Sequence, residues 1–250
     1  MDFVRSNTEW KQWGKEDPLF GVAFWANKQR GSVSAWTDEE FYALGESDWR
    51  DFYPIWQQYG VSRESCLEVG CGAGRITRQL ANSFDRVQAV DVSEDMIKYA
   101  RGRIGAKNVQ FFVVDGIHLP QPDRSVRAIF STHVLQHLDN VNIGLCYFRE
   151  FFRVLDFGGT IMVHLPLYEW PRKGRQLGTL FKALFALYTR VDDIKARINR
   201  RRGVKIMRYT LYPMRLLYSS LVGQGFRSIE FRVFPTTSNG DLHSFVLATK

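Results

Sequence analysis

Apolar and polar positions change period along this chain, and the change begins at Ser65. From there, short apolar runs rich in β-branched residues alternate with stretches of helical period. "CLEVG", "VQAVDV", "VQFFVVD", "RAIFST" and "TIMVHL" each have the length and content of a buried strand. Between them, Ile76, Leu80, Ala81 and Phe84 share one helical face, and Met96, Ile97, Ala100 and Ile104 share another. A third helix, with Asp139 as its cap, places Val141, Leu145, Phe148, Phe152 and Leu155 at steps of four, three, four and three. "DFGG" (Asp156 to Gly159) is expected to stop that helix with glycine. Repeated strand–helix units predict an α/β fold with a parallel sheet covered on both faces and right-handed crossovers.

The end of the chain has another rhythm. "PMRLLYSSLVGQGF" predicts a helix with Pro213 in its first turn and glycines at its end. Strands around Arg227 to Val233 and Leu242 to Thr249 follow, with "SNGD" between them, and are expected to pair antiparallel. One domain is expected, in four parts: an aromatic helical cap over residues 1–60, a core over 61–166, a basic helical insertion over 167–208, and a closing helix and strand pair over 209–250. No internal repeat or low-complexity tract interrupts this plan.

Composition changes the picture in two places. The net charge of +8 is concentrated: Arg172 to Arg208 holds twelve Lys/Arg against two acids, which leaves the rest of the chain slightly acidic. Cys66, Cys71 and Cys146 are an odd number without metal-ligand spacing and read as reduced thiols of a cytoplasmic protein. Met1 to Trp13 is polar and carries Asp2 and Glu9, so no secretory signal is expected there. The longest nearly apolar run, Leu177 to Tyr188, includes Lys182 and falls well short of the roughly 20 residues of a membrane span.

"LEVGCGAGR" is the stretch that carries chemistry. Gly70, Gly72 and Gly74 follow a strand directly and precede a helix expected near Arg75. At such a crossover a ligand can lie against bare backbone and helix N-terminal amides. Asp91 ends the next strand, 17 residues beyond Gly74, near the roughly 20 expected of a carboxylate that accepts ribose hydroxyls. A dinucleotide fingerprint would place its third glycine at position 75, which is Arg. Glu68, just before the loop, suits a cationic amino group and is wasted on a pyrophosphate. A ligand with an amine, a ribose and an adenine therefore fits better than one with two phosphates.

"LEVGCGAGR", with "VDVS" at Asp91, "VVDG" at Asp115, "FSTHVLQHL" from Phe130 and "VLDFGGTIMV" from Val154, resembles the class I S-adenosylmethionine-dependent methyltransferases. The likeness runs from about Ser65 to Leu165 and is nearest the branch that methylates small molecules and lipid-like quinones. It implies a Rossmann-like three-layer sandwich with a seven-stranded, mostly parallel sheet whose last strand is antiparallel. It implies S-adenosylmethionine as cofactor, S-adenosylhomocysteine as product, and no metal. By the same resemblance, Gly70, Cys71, Gly72 and Gly74 would line the methionine moiety and ribose, with Glu68 holding the amino group. Asp91 would take the ribose and Val92 and Met96 would flank the adenine. Asp115 would meet its exocyclic amine, with Gly116 and Ile117 beside it, and Thr132 and His133 would lie near the sulfonium. Phe157 stands where many relatives have proline, a change of turn and not of chemistry.

Around this frame several residues have two readings. His133 and His137 are candidate general bases, yet methyl transfer also proceeds by alignment alone. His118, His164 and His243 read as loop or structural histidines, and Cys71 as a small filler. Trp36 and Tyr42 are candidates to close over the cofactor, though aromatic packing alone also explains them. The basic amphipathic segment reads first as a substrate lid and second as a contact for an anionic membrane surface, which would make the protein membrane-peripheral. Nucleic acid comes last, because no stacking module accompanies "RINRRRGVK". The motifs of DNA-base and protein-arginine methylators are missing after the fourth strand, which leaves a small-molecule or lipid-like acceptor methylated on oxygen, nitrogen or carbon. The rival reading is a non-catalytic adenosyl-binding regulatory or assembly domain.

Overall fold

The computed structural model describes residues 6–169 and 209–250. The predicted basic helix therefore lies outside the described residues. The strands are β1 (Cys66–Val69), β2 (Val87–Asp91), β3 (Val109–Val113), β4 (Val126–Ser131), β5 (Leu155–His164), β8 (Arg227–Pro235) and β9 (Leu242–Thr249). They form one seven-stranded sheet in the order β3-β2-β1-β4-β5-β9-β8. Pairing is parallel from β3 through β5, and β9 runs antiparallel to both β5 and β8. The expected mostly parallel sheet with an antiparallel closing strand is the one that forms. Two short strands, β6 (Leu167–Tyr168) and β7 (Tyr212–Pro213), pair parallel beside it.

The alternation of side chains along each strand feeds two cores. Leu67, Val69, Ile129, Ile161, Val163 and Val246 face α6 (Val141–Val154) and α7 (Met214–Gln224). Cys66, Ala128, Phe130, Met162, Phe245 and Leu247 face α3 (Asp38–Tyr59) and α4 (Thr77–Ser83). Period two thus sends each strand's neighbours to opposite layers. Helix α5 (Glu94–Arg103) buries Met96, Ile97 and Ala100, as its spacing predicts.

Four local expectations are corrected. Asn140, not Asp139, caps α6, accepting from the Ile143 amide, while Asp139 accepts from the Ser6 amide at 3.2 Å. The buried face of α6 is Gly144, Tyr147, Phe148, Phe151 and Val154, so the predicted stripe is rotated toward its flank. No glycine cap ends α6, because β5 begins at Leu155 and takes "DFGG" into the strand. β3 is half-exposed because it is the sheet edge, with no neighbour on one side.

The first 60 residues divide. Helices α1 (Ser6–Glu16) and α2 (Pro18–Val22) lie at the mouth of the sheet, but α3 is a structural layer. Thr37 opens α3 with a reciprocal capping box to Glu40, and Gly60 closes it in a left-handed cap. Trp49, Phe52 and Trp56 pack beneath the sheet, and Trp56 donates from Nε1 to Thr160 Oγ1 at 3.0 Å. On its other flank α3 presents Asp48, which forms a buried ion pair with Arg75 and accepts from Ser238 Oγ at 2.7 Å. That pair ties α3, the loop after β1 and the β8–β9 turn together. Asp48→Ala leaves a buried guanidinium uncompensated, and we expect a loss of about 3–5 kcal/mol in urea unfolding.

Candidate functional site

The chain leaves β1 toward β2 and β3, then returns to β4 on the other side of β1. Reversal of strand order opens a crevice at the carboxyl ends of β1 and β4, where open α/β sheets bind ligands. A cleft of about 670 Å³ lies there. Its volume falls in the range of roughly 300–1,000 Å³ typical of small-molecule sites.

Glu68, Gly70, Cys71, Gly72, Asp91, Val92, Met96, Thr132, His133 and His137 all line this cleft. Gly70 and Gly72 have φ of 76° and 52°, left-handed values that L side chains avoid. Close approach adds to that demand. A Cβ on Gly70 would stand 2.1 Å from Val134 Cγ2, and one on Gly72 would stand 2.5 Å from Val22 Cγ2. Gly74 lies outside the wall and backs onto Ile104 and Ala100 of the α5 side.

Asp91 is held at both oxygens. Gly72 donates its amide to Oδ2 at 2.8 Å and Ser93 donates to Oδ1 at 2.9 Å. Burial pushes this carboxyl up from its usual range, and the Ser93, Gly72 and Val92 amides oppose that rise. A carboxylate has about four lone-pair positions, so acceptor capacity remains for a ligand hydroxyl. Glu68 is buried and accepts from Thr77 Oγ1 at 2.5 Å. Burial lifts its pKa to about 7, while the Thr77 hydroxyl and nearby Arg75 pull it down.

Asp115, Gly116 and Ile117 are not in the wall, although Val114 just before them is. The Asp115 carboxylate faces outward, accepting from the Ile117 and His118 amides at 2.9 Å and pairing with the His118 ring at 2.8 Å. Asn7 of α1 donates to the Asp115 carbonyl at 2.7 Å, and Ser6, Asn7 and Trp10 occupy that part of the cleft instead. Trp36 and Tyr42 are not in the wall either. Tyr42 donates to the Ala73 carbonyl at 2.9 Å beneath the loop, and Trp36 donates to the Ala23 carbonyl at 2.8 Å beside Trp25. Val22, Phe24 and Trp25 from around α2 supply the apolar wall. A Trp-rich N-terminus announced aromatics near the cleft, but periodicity could not say which of them reach it.

His133 has φ of 57°, a left-handed residue without glycine's freedom, at the turn after β4. Burial, followed by the neighbouring His164 and Arg75, holds its pKa well below the usual histidine value, so the ring is neutral. His137 is buried in the one-turn helix Leu135–His137, 2.9 Å from the Gln136 amide nitrogen and 5.1 Å from the Trp10 ring. The cleft also takes in His164, at the carboxyl end of β5, and His243, at the start of β9. Sequence reasoning set both aside as structural. Their one signal is that β9 opens where β5 closes, which puts both at the ligand edge. Thr132 Oγ1 and Ser6 Oγ are buried in the wall without a protein partner among the described residues. Such orphans are rare in folded proteins and commonly await a ligand or water.

Glu68 is thus protonated below about pH 7 and charged above it. Side-chain carboxyl ¹³C NMR of the free protein should titrate with a midpoint near 7. Thr77→Val removes the hydroxyl that favours the charged form, and its midpoint should move higher.

Residues 66–159 match the model of the methyltransferase domain family. Over 101 residues the chain is 32% identical to malonyl-[acyl-carrier protein] O-methyltransferase 2 of Ilyobacter polytropus, covering 40% of this chain and 39% of that one. It is 35% identical over 101 residues to demethylmenaquinone methyltransferase of Tropheryma whipplei, covering 40% and 41%. The chain thus spans about two fifths of the length of these curated relatives. A SAM-dependent methyltransferase structure from Aquifex aeolicus superposes with a TM-score of 0.53 at 20% identity, covering 85% of this chain and 98% of that one. Sequence match, strand order and crevice agree, and residues 66–159 are similar to the methyltransferase domain family.

Proposed function

We propose that this protein transfers a methyl group from S-adenosylmethionine to a small-molecule or lipid-like acceptor. The observation that carries the reading is the pairing, within one cleft, of buried Glu68 on β1 with an amide-oriented Asp91 on β2. Glu68 would hold the cationic amino group, Asp91 the ribose hydroxyls, and Val92 and Met96 the adenine faces. The orphaned Thr132 and Ser6 hydroxyls offer further polar contacts. When bound, the sulfonium supplies an electrophilic methyl carbon. The chain's part is to hold the acceptor in line with it and to exclude water with Trp10, Val22, Phe24 and Trp25. His133 and His137, on the β4 side, are the candidate bases.

The relatives' names speak of a carrier-bound malonyl group and of demethylmenaquinone, and the apolar wall supports an acceptor of comparable kind. A second reading, a cytoplasmic enzyme that touches anionic membrane, is favoured by the charge gathered between Arg172 and Arg208. Among the described residues no helix is long and apolar enough to cross a membrane. Release of S-adenosylhomocysteine on incubation with a metabolite extract tests the activity, since a purely regulatory adenosyl binder releases none.

Two binding predictions follow from the carboxylates. Binding a cation requires charged Glu68, so affinity for S-adenosylhomocysteine should fall as pH drops below about 7, by up to about tenfold per unit. Calorimetry across pH 5.5–8.5 should show this slope (on the order of three units of range), and Glu68→Gln should flatten it. Asp91→Ala removes two charge-assisted hydrogen bonds and should weaken binding by about tenfold or more.

A further inference from the structure

Three imidazoles from separate elements meet at one end of the cleft. His133 follows β4, His164 closes β5 and His243 opens β9. These strands lie on the far side of β1 from Asp91, the side left for the acceptor. One ring nitrogen from each histidine lies within 4.8 Å of the others, and the ring centroids are 4.5–5.1 Å apart.

The hydrogen bonds around the rings leave nitrogens free. His243 Nδ1 lies 3.1 Å from the Asp241 carbonyl, which can only accept, so Nδ1 carries the proton and Nε2 keeps its lone pair. A backbone carbonyl that fixes the tautomer in this way is the usual support of a metal-binding histidine. His164 Nδ1 is buried with no partner among the described residues. Among the described residues, His133 Nδ1 is met by the Gln136 side-chain amide at 3.5 Å, the limit of a hydrogen bond.

We propose that His133, His164 and His243 form a binding site for a divalent transition-metal ion of the zinc type, with its fourth position open to the cleft. Three neutral nitrogen donors suit zinc, cobalt or nickel better than magnesium or calcium, which prefer oxygen. Three protein ligands with an open position are also the pattern of catalytic rather than structural zinc. Metal–nitrogen bonds of about 2.0–2.1 Å in a tetrahedron set the nitrogens about 3.3 Å apart, so the rings must close slightly on the ion. Spacings of 31 and 79 residues carry no motif, which is why the sequence pointed to no metal.

The use of this ion rests on the methyl-transfer reading, within which a metal-bound His133 is no longer a base and His137 is left as the candidate; its binding does not rest on that reading. The fourth ligand would be a hydroxyl oxygen of the acceptor. Coordination lowers the hydroxyl's pKa and its proton leaves to water at the cleft mouth. An oxygen lone pair then forms the O–CH₃ bond as the CH₃–S bond breaks. The bonding pair stays on sulfur, which passes from sulfonium to neutral thioether.

The test uses the full chain without a histidine tag, stripped with a chelator and titrated with Zn²⁺ or Co²⁺. One equivalent should bind, and azide should shift the visible Co²⁺ spectrum by entering the open position. His164→Ala and His243→Gln should each weaken Zn²⁺ binding by about a hundredfold or more, since loss of a mere supporting partner already costs 10–100-fold. Both should still bind S-adenosylhomocysteine, which reports an intact fold. Failure of the parent chain to bind a stoichiometric ion, wild-type Zn²⁺ affinity in both variants, or a Co²⁺ spectrum indifferent to azide overturns the proposal. If the parent chain binds S-adenosylhomocysteine but no metal, the cofactor reading survives and this one does not.

Discussion

The reversal of strand order at β1 is the constraint on which the rest of the structure depends. Because the chain runs outward through β2 and β3 before returning to β4, the loops after β1 and β4 leave in opposite directions. No covering helix can fill the gap between them. Backbone at that gap must turn without side chains, and Gly70 and Gly72 supply the turn. Their bareness serves the protein as well as a ligand, since Val134 and Val22 press into the space that a Cβ would take.

A crevice made in this way is useful only if its walls keep their places. The Arg75–Asp48 pair does this from below, with Ser238 reaching the same carboxylate from the β8–β9 turn. Exposed ion pairs contribute little, but here both partners are buried, so neither can drift into water without large loss. Tyr42 holds the loop from the same helix through the Ala73 carbonyl. The loop is therefore rigid before any cofactor arrives, and Asp91 is oriented by the loop's own amide. Preorganised acceptors of this kind spend little ordering entropy on binding.

Much of this was legible in the chain. The central strands, buried on both faces, show as continuous apolar runs, the edge strands β3 and β8 as β-branched and aromatic runs between turn residues, and Glu68, Asp91 and the glycines sat at the strand ends. Errors fell where tertiary contact overrides pattern. The α6 stripe was rotated because α7 and Tyr212 cover a flank that its sequence does not mark. No local pattern marks the contact of α1 with the loop after β3, where Asn7 reaches the Asp115 carbonyl from 108 residues away in sequence. His164 and His243 are joined only by the antiparallel register of β5 and β9, which no local spacing reveals.

The short pairing of β6 with β7 has its own consequence. Leu167 and Tyr212 are neighbours in parallel register, and Tyr212 and Thr210 then donate to the Leu135 and Leu138 carbonyls. A parallel pair demands a long crossover, so the intervening chain departs and returns at a single riveted point. Both ends of the β6–β7 pair are thereby fastened to the turn that bears His133 and His137, so the acceptor side of the crevice is fixed from outside the main sheet.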